Sequence, residues 1–194
     1  MTVRVMLVSP AMNAALRQAR FDGDAPLDRA GERSARAAAA DVPRSDAVLS
    51  GPSERCLGTA AALGLAARPE PALTGWDLGR WSGRRLDEVG AAEPAAVAAW
   101  MGDPSAAPHG GESLRALVER VGGWLDGVLG TEEGGVLAVA EPAVVRAAVV
   151  HALALPPETF WRLDVAPLVL TELSGRSGRV NVRLGRPLAA PQPS

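Results

Sequence analysis

The chain has 194 residues, of which 47% are hydrophobic and 22% are charged, and its formal net charge is −2. This length is sufficient for one domain with a substantial core. The nearly balanced charge gives no reason to expect nucleic acid or an anionic membrane as a partner. All 20 basic residues are arginine. This bias is typical of a GC-rich bacterial genome, and it excludes Schiff-base and P-loop lysine chemistry.

The few cysteines and histidines limit the cofactor chemistry. Cys56 is the only cysteine, which excludes an intramolecular disulfide and a cysteine-based metal cluster. His109 and His151 are the only histidines, so we expect no metal site and no cofactor. No apolar run reaches the ~18 residues of a membrane span, and the first run is short, follows a single arginine and ends at Pro10. We therefore expect a cytoplasmic protein.

The predicted elements begin with a short apolar strand. Residues 3–8 are β-branched and apolar enough for a buried strand, and the residues after Pro10 favour a helix. Residues 9–13 are therefore predicted to form a strand-to-helix turn. Turns of this kind lie at the carboxyl ends of strands in α/β sheets, where ligands usually bind. Ser9 is the only residue of this turn that offers a nucleophile.

The next segments repeat the alternation of strand and helix. Asp28 is a suitable N-cap for an alanine-rich helix that extends to Ala40. Residues 46–50 are predicted to form a buried strand, 52–67 a helix and 69–73 a weak strand. Successive strand–helix units favour a parallel sheet covered by helices. The predicted fold class is α/β, a three-layer α/β/α sandwich with a mostly parallel central sheet.

The second half begins with an irregular segment, 74–83, whose glycines and tryptophans are typical of a functional loop. An apolar period of 3.6 residues predicts an amphipathic helix over 112–129. The other predicted elements are a helix at 94–101, a loop at 102–111, a buried strand at 135–140, a helix at 143–155 and a hairpin of 168–173 and 179–184. One domain is predicted over 1–186, followed by a flexible tail over 187–194.

Six segments, taken in order, resemble motifs of the histidine phosphatase superfamily, the phosphoglycerate-mutase-like fold. Residues 5–13 are similar to the strand that ends in Leu-Val-Arg-His-Gly-Glu-Thr in the family. Residues 26–35 are similar to its Pro-Leu-Thr helix start, and residues 49–60 to its Ser-Ser-Pro…Arg-Ala…Thr-Ala element. Residues 73–83 match the loop motif Leu-x-Glu-x-x-x-Gly-x-Trp-x-Gly, and residues 108–113 match Pro-x-Gly-Glu-Ser with one inserted residue. Residues 136–142 take the place of a strand that ends in Val-Ser-His-Gly. The resemblance implies the same three-layer fold.

The catalytic positions that this resemblance implies are changed. In the family, a histidine after the first strand becomes phosphorylated, two arginines and a second histidine hold the phosphoryl group, and a glutamate protonates the leaving oxygen. The nucleophile position is occupied here by Pro10 and the second histidine position by Glu141. Gly75 replaces the acid and Ser9 the first arginine, so that Arg55 alone is retained.

These replacements predict the loss of phosphohistidine chemistry. Pro10 has neither a side-chain nitrogen nor a backbone N–H, so it cannot attack phosphorus or donate a hydrogen bond. Glu141 places a carboxylate where phosphate oxygens would lie, and such like charges repel by about 4 kcal/mol at an effective dielectric constant near 20. We assign no catalytic residue and interpret Ser9, Pro10, Gly75 and Glu141 as vestigial positions.

Several of these residues have both a functional and a structural interpretation. Arg55 is either an anion ligand or the partner of Glu141 in an ion pair, and the cost of burying an unpaired charge favours the pair. Ser9 is expected to be a turn or capping hydroxyl because no histidine is placed to deprotonate it. His109 is expected to lie in an exposed loop at the pocket mouth, with a replacement catalytic role as the alternative. Trp76 either lines the pocket or anchors its loop.

The predicted function is that of a pseudoenzyme with a ligand-binding or regulatory role, whose partner is a small molecule or another protein and for which a homodimer is one option. The candidate ligand-binding residues are Ser9, Asn13, Arg55, Trp76, His109 and Glu141. The alternative is an enzyme that uses the same cleft for other chemistry, with Glu141 as acid or base. A third hypothesis, a structural or oligomer-forming role, predicts a large exposed apolar patch away from the cleft.

Overall fold

The structure is a computed structural model that describes residues 3–21, 23–131, 134–176 and 178–188. The strands are β1 (Val3–Val8), β2 (Ala47–Ser50), β3 (Arg68–Pro69), β4 (Gly135–Val139), β5 (Val169–Arg176) and β6 (Arg179–Pro187). The α-helices are α1 (Ala14–Arg17), α2 (Arg29–Ala38), α3 (Glu54–Ala62), α4 (Leu86–Ala92), α5 (Pro94–Gly102), α6 (Leu114–Leu129) and α7 (Pro142–Ala152). Short 3₁₀ turns occupy Ala39–Asp41, Pro71–Leu73, Gly79–Trp81 and Pro157–Arg162.

The described strands form one sheet in the order β3-β2-β4-β1-β5-β6. β3, β2, β4 and β1 are parallel to one another, with Val5 opposite Val136 in the β1–β4 pair. β5 is antiparallel to β1, with Leu7 opposite Thr171, and β6 completes a hairpin with β5. The mostly parallel sheet and the terminal hairpin predicted from the sequence are confirmed.

Helices cover both faces of this sheet. Side chains of successive strand residues point to opposite faces, and β1 shows the alternation directly. Val5 and Leu7 belong to a buried cluster with residues of α6 and α7. Met6 and Val8 belong to a second cluster with residues of α2 and α3. The three-layer α/β/α sandwich is therefore confirmed, with one apolar core on each side of β1.

A third apolar cluster lies beside the loop that follows the short strand β3. Its buried members are Leu78, Trp81, Val89 and Trp100. Trp81 stacks on Phe21, with ring centroids 5.8 Å apart. This cluster joins the segment predicted as a functional loop to α4 and α5, so the loop is held by an aromatic core of its own.

The long amphipathic helix begins two residues later than predicted. Ser113 is its N-cap, and the Ser113 hydroxyl accepts a hydrogen bond from the N–H of Ala116 at 3.2 Å. Glu112 lies outside the helix, and its carboxylate pairs with Arg120 at 2.8 Å. Ser113 therefore supplies the N-terminal cap of this helix, whereas the Glu112 side chain pairs with a later residue of it.

Other element boundaries differ from the predictions. The helix predicted over 52–67 ends at Ala62, because Gly64 adopts a φ of +75°, a left-handed conformation that terminates helices. The weak strand predicted over 69–73 has only two residues, since the Glu70 carboxylate accepts from the N–H of Ala72 and starts a 3₁₀ turn. The predictions did not include α4.

The carboxyl-terminal boundary also differs. Pro187, the first residue of the predicted tail, is the last residue of β6. Leu188 is buried, and its N–H donates to the carbonyl of Leu168 at 3.0 Å. The remainder of the predicted tail, 189–194, lies outside the described residues. Within the described ranges, no helix combines the length and the apolarity required to cross a membrane.

Candidate functional site

A cleft of about 730 Å³ lies at the carboxyl ends of β2 and β4. Its walls come from residues within 16–21 and 23–24 and from three further chain segments, 52–55, 74–82 and 141–146. This volume is within the range of sites that hold small molecules. The position agrees with the general rule that ligands bind outside the carboxyl ends of strands in open α/β sheets.

The floor of the cleft holds a buried ion pair between Arg55 and Glu141. The Arg55 Nε atom lies 3.2 Å from Glu141 Oε1, and Arg55 Nη2 donates to Oε2. Arg55 is 2% exposed and Glu141 5% exposed. The guanidinium and the carboxylate therefore meet in a two-pronged arrangement, the geometry in which this pair is strongest. The ion pair predicted from the sequence is present.

Two more side chains donate to the Glu141 carboxylate. The Ser53 hydroxyl donates to Oε1 at 2.9 Å, and the Cys56 thiol lies 3.4 Å from the same oxygen. A buried charge is tolerated when it is paired and hydrogen-bonded. The carboxylate is thus held by one cation and two neutral donors, all of which come from the first turn of α3 and its cap.

The sheet topology explains why these residues meet. β2 and β4 are parallel neighbours, with Ser50 opposite Val139, so both strands end at the same edge. The chain turns from β2 into α3, whose N-cap is Ser53, and from β4 into α7, whose N-cap residue is Glu141. The starts of α3 and α7 are therefore side by side, and Arg55 in the first turn of α3 contacts Glu141, the N-cap residue of α7.

Gly75 leaves room for the Glu141 side chain. A Cβ atom at position 75 would lie 3.4 Å from Glu141 Cγ, which is the limit of ordinary contact. Any longer side chain would compete with Glu141 for this space. The loop is fixed beside it, because Trp76 Nε1 donates to the carbonyl of Glu112 at 2.7 Å. Trp76 both lines the cleft and anchors its loop, so the functional and the structural interpretation of this residue both apply.

Ser9 and Pro10 are buried under the sheet edge. The Ser9 hydroxyl donates to the carbonyl of Ala166 at 2.6 Å and accepts from the N–H of Val169 at 3.1 Å. This geometry agrees with the predicted role as a turn hydroxyl. Asn13 caps α1 through a hydrogen bond from the N–H of Leu16 at 3.0 Å. The structure places Ser9 and Asn13 outside the lining of the cleft.

The prediction that His109 lies in an exposed loop is wrong. His109 is 2% exposed, and its ring packs against Trp81 with centroids 5.1 Å apart. Its Nδ1 accepts from the N–H of Gly111 at 3.0 Å, and its Nε2 is buried without a hydrogen-bond partner among the described residues. Burial lowers the pKa of His109, and nearby Asp77 partly opposes this shift. His109 does not line the cleft.

The prediction that His109 is exposed rested on the proline and glycine content of the loop at 102–111. A segment rich in proline and glycine usually lies in solvent. Here the loop folds back onto the aromatic cluster, and the N–H of Arg80 donates to the carbonyl of His109 at 3.0 Å. Tertiary packing therefore buries a residue whose local sequence predicts exposure.

Two cleft residues were missed by the sequence reasoning. Ser53 was considered only as part of a motif, although its hydroxyl contacts Glu141. Arg146 lies on α7 and faces the cleft, with its guanidinium carbon 5.5 Å from the centroid of the Phe160 ring. The signal for Arg146 was visible in the sequence, because it is the only arginine in the apolar helix predicted over 143–155.

Arg146 is only weakly neutralised. Its Nη2 lies 3.9 Å from an oxygen of Asp164, whose side chain is 98% exposed. Its Nε is buried and has no hydrogen-bond partner among the described residues. Burial lowers the pKa of Arg146, but guanidinium groups remain charged in proteins. No group of three or more potential metal ligands occurs in the described part of the chain.

The fold and the position of the cleft define an α/β protein whose site is built from strand-to-helix turns. The family model described as the histidine phosphatase superfamily (branch 1) matches residues 11–185. The chain therefore belongs to the histidine phosphatase superfamily. A Mycobacterium tuberculosis protein described as bifunctional is 30% identical in an alignment 193 residues long that covers 93% of this chain and 53% of that protein. The chain spans about half the length of the curated relatives it matches.

Solved structures show the same architecture. A mycobacterial glucosyl-3-phosphoglycerate phosphatase is 25% identical, with a TM-score of 0.82 over 96% of this chain and 100% of the other. The α-ribazole phosphatase of Shigella flexneri is 21% identical, with a TM-score of 0.83 over 98% of this chain and 100% of the other. At the lower of these identities the likeness concerns the fold alone.

Proposed function

We propose that this chain is a pseudoenzyme of the histidine phosphatase fold that binds a small molecule in its cleft without forming a phosphohistidine. The observation that carries the proposal is the buried pair of Arg55 and Glu141. Arg55 is the one family phosphate ligand that the sequence retains. Its guanidinium is neutralised by a carboxylate of the same chain, so it is not offered as a positive charge to a phosphate dianion.

The reacting turn supports the same proposal. By the resemblance, Pro10 stands in place of the nucleophilic histidine of the family, and it is buried. The Ser9 hydroxyl is held between two backbone groups, Ala166 and Val169. A nucleophile needs an adjacent base and access to the substrate. The turn offers neither, whereas the cleft itself is large enough for a ligand.

The solved relatives named as phosphatases make phosphomonoester hydrolysis the reaction to test. We would assay the purified chain with p-nitrophenyl phosphate and compare it with Arg55→Ala. Arg183→Ala is the matched control, since Arg183 lies on β6 and pairs with Glu172 away from the cleft. We expect no turnover above the Arg55→Ala background. Turnover by the unmodified chain and by Arg183→Ala that is lost in Arg55→Ala would contradict the proposal.

A second candidate function rests on the contact between Ser53 and Glu141. The Ser53 hydroxyl lies 2.9 Å from Glu141 Oε1, and both residues line the cleft. A carboxylate beside a hydroxyl is an acid–base arrangement, so an enzyme with Glu141 as base is the alternative. The pairing with Arg55 disfavours it, because the carboxylate would give up a charged partner when it accepts a proton.

This alternative predicts ester hydrolysis that depends on one hydroxyl. The assay uses p-nitrophenyl acetate with the unmodified chain, Ser53→Ala and Ser113→Ala. Both serines are helix N-caps, so the control reproduces the loss of a cap. Hydrolysis lost only in Ser53→Ala would favour the enzyme over the pseudoenzyme.

A further inference from the structure

We propose that the cleft binds an organic monoanion, a carboxylate on an apolar body, and that Arg146 holds the carboxylate. This inference rests on the proposed function, because it requires that Glu141 neutralises Arg55. The anionic group of the ligand would then bind on the α7 wall of the cleft and not at the position where the family holds a phosphoryl group.

Arg146 is the first reason for this assignment. Its side chain is 27% exposed, and among the described residues its only ion pair is the 3.9 Å contact with the solvated Asp164. Its Nε is buried and has no hydrogen-bond partner within the described ranges, and its guanidinium carbon lies 5.5 Å from the centroid of the Phe160 ring. A guanidinium presents five N–H donors in a fork that matches a carboxylate. A ligand carboxylate would supply the acceptors that the chain does not.

The other arginines of the cleft have protein partners. Arg55 donates from Nε and from Nη2 to the two carboxylate oxygens of Glu141. Arg20 donates from Nε to the side-chain oxygen of Gln18 at 2.9 Å and from Nη1 to the carbonyl of Gly83 at 3.1 Å. Among the arginines that line the described cleft, Arg146 is thus the one whose donors are least engaged.

The charge of the cleft selects a monoanion. Its lining includes three arginines and two carboxylates, those of Asp24 and Glu141, which leaves one positive charge. A carboxylate balances this charge. A phosphate dianion would bring a second negative charge toward Glu141, and like charges a few ångströms apart repel.

The apolar part of the cleft lining selects an apolar body for the ligand. It includes Leu16, Phe21, Trp76 and Leu78. Trp76 is fixed by its hydrogen bond to the Glu112 carbonyl at 2.7 Å and by neighbouring rings. A fixed aromatic wall stabilises a flat apolar group through buried area and ring contacts.

Naphthoate, an aromatic monoanion, is the ligand to test, and the neutral naphthamide of the same shape is its comparison. Binding is measured by calorimetry and by quenching of tryptophan fluorescence, since Trp76 lines the cleft. The variants are Arg146→Gln, which removes the charge, and Arg146→Lys, which keeps it. Arg183→Gln is the control, because Arg183 also has a single loose ion pair, at 3.6 Å, but lies on β6.

We expect naphthoate to bind the unmodified chain and Arg183→Gln equally, and to bind Arg146→Gln about tenfold more weakly, as for loss of a charged hydrogen bond. Arg146→Lys should retain most of the affinity. Naphthamide should bind weakly and be unaffected by Arg146→Gln. Equal affinity of naphthoate for the unmodified chain and Arg146→Gln would overturn the inference. So would the absence of saturable binding up to about 1 mM.

Naphthyl phosphate separates this inference from the proposed function. If the chain hydrolyses it and Arg55→Ala abolishes the reaction, the proposed function fails, whatever the naphthoate result. If it is not hydrolysed but binds more tightly than naphthoate, the assignment of a monoanion fails while the proposed function stands. We expect weaker binding than for naphthoate and no hydrolysis.

Discussion

Removal of one partner from the buried pair should destabilise the fold strongly. In Glu141→Leu, the Arg55 guanidinium, 2% exposed in the structure, loses its carboxylate and two hydrogen-bond acceptors. Breaking a buried ion pair in this way typically costs about 3–5 kcal/mol. We expect the lower end of this range, about 3 kcal/mol, because both residues line the cleft and water can reach the unpaired group.

The matched double variant tests whether the unpaired charge is the cause. Replacing both residues with apolar ones of similar volume, Arg55→Met with Glu141→Leu, removes the two charges together. Such replacements are often neutral or stabilising. We therefore expect the double variant to lie within about 1 kcal/mol of the unmodified chain, which is a strong positive coupling between the two positions.

Urea unfolding followed by tryptophan fluorescence measures both effects, since the described part of the chain places Trp76, Trp81, Trp100 and Trp161 in one aromatic group. With a slope of about 2 kcal/mol per molar urea, a loss of about 3 kcal/mol lowers the midpoint by about 1.5 M. A loss below about 1 kcal/mol in Glu141→Leu would refute the reasoning. So would a double variant that is less stable than the single one.

Three further predictions concern the capping, the titration and the loop packing described above. Ser113→Ala removes the acceptor for the N–H of Ala116, so we expect a loss of about 1 kcal/mol and a melting temperature about 2–4 °C lower in calorimetry. Burial lowers the pKa of His109, so the unfolded chain binds a proton at this residue more readily than the folded chain does. The free energy of unfolding should therefore fall as the pH drops below about 6.5 and through the folded-state pKa. Urea unfolding at several pH values measures this change. Gly79→Ala would place a Cβ atom 2.3 Å from the His109 carbonyl oxygen at a φ of +48°, so we expect a loss of more than about 2 kcal/mol in the same measurement. Gly90→Ala, in a helix with nothing within 4 Å of the new Cβ, should instead be neutral or stabilising.

Each of these predictions has a control and a contradicting result. Ser113→Asn keeps a capping acceptor and should restore most of the stability; equal losses in both variants would show that the cap is not the cause. His109→Gln should flatten the pH profile below about pH 6.5, and an unchanged profile would assign the titration to another group. If Gly79→Ala and Gly90→Ala were equally stable, the close approach of Gly79 to the His109 carbonyl would be of no consequence.

The secondary structure was predictable where a single pattern dominated. The amphipathic helix over 112–129 was found to within two residues, because seven apolar side chains at helical spacing must face one core. The helix α4 was missed, since Leu86–Ala92 has only two large apolar residues, Leu86 and Val89, and Val89 alone is buried in it. Its packing partners come from distant segments, and sequence patterns do not include them.

The site was predictable to a similar extent. The pairing of Arg55 with Glu141 followed from the resemblance, which assigns both residues to positions that hold the phosphoryl group in the family, and from the cost of an unpaired buried charge. Ser9 and Asn13 belong to the correct turn, but their side chains are used by backbone groups of Val169 and Leu16. Which partner satisfies a polar side chain depends on the chain that packs over it.

The sequence by itself determined the α/β layers and predicted that Pro10 replaces the family nucleophile, because apolar periodicity and the chemistry of a proline are local properties. Only the tertiary structure decided that His109 is buried and that Arg146 faces the cleft. Both depend on which surfaces meet after folding. The loop around His109 packs onto Trp81, and the first turns of α7 line the cleft. The physical reason is that burial and charge compensation are set by neighbours distant in sequence.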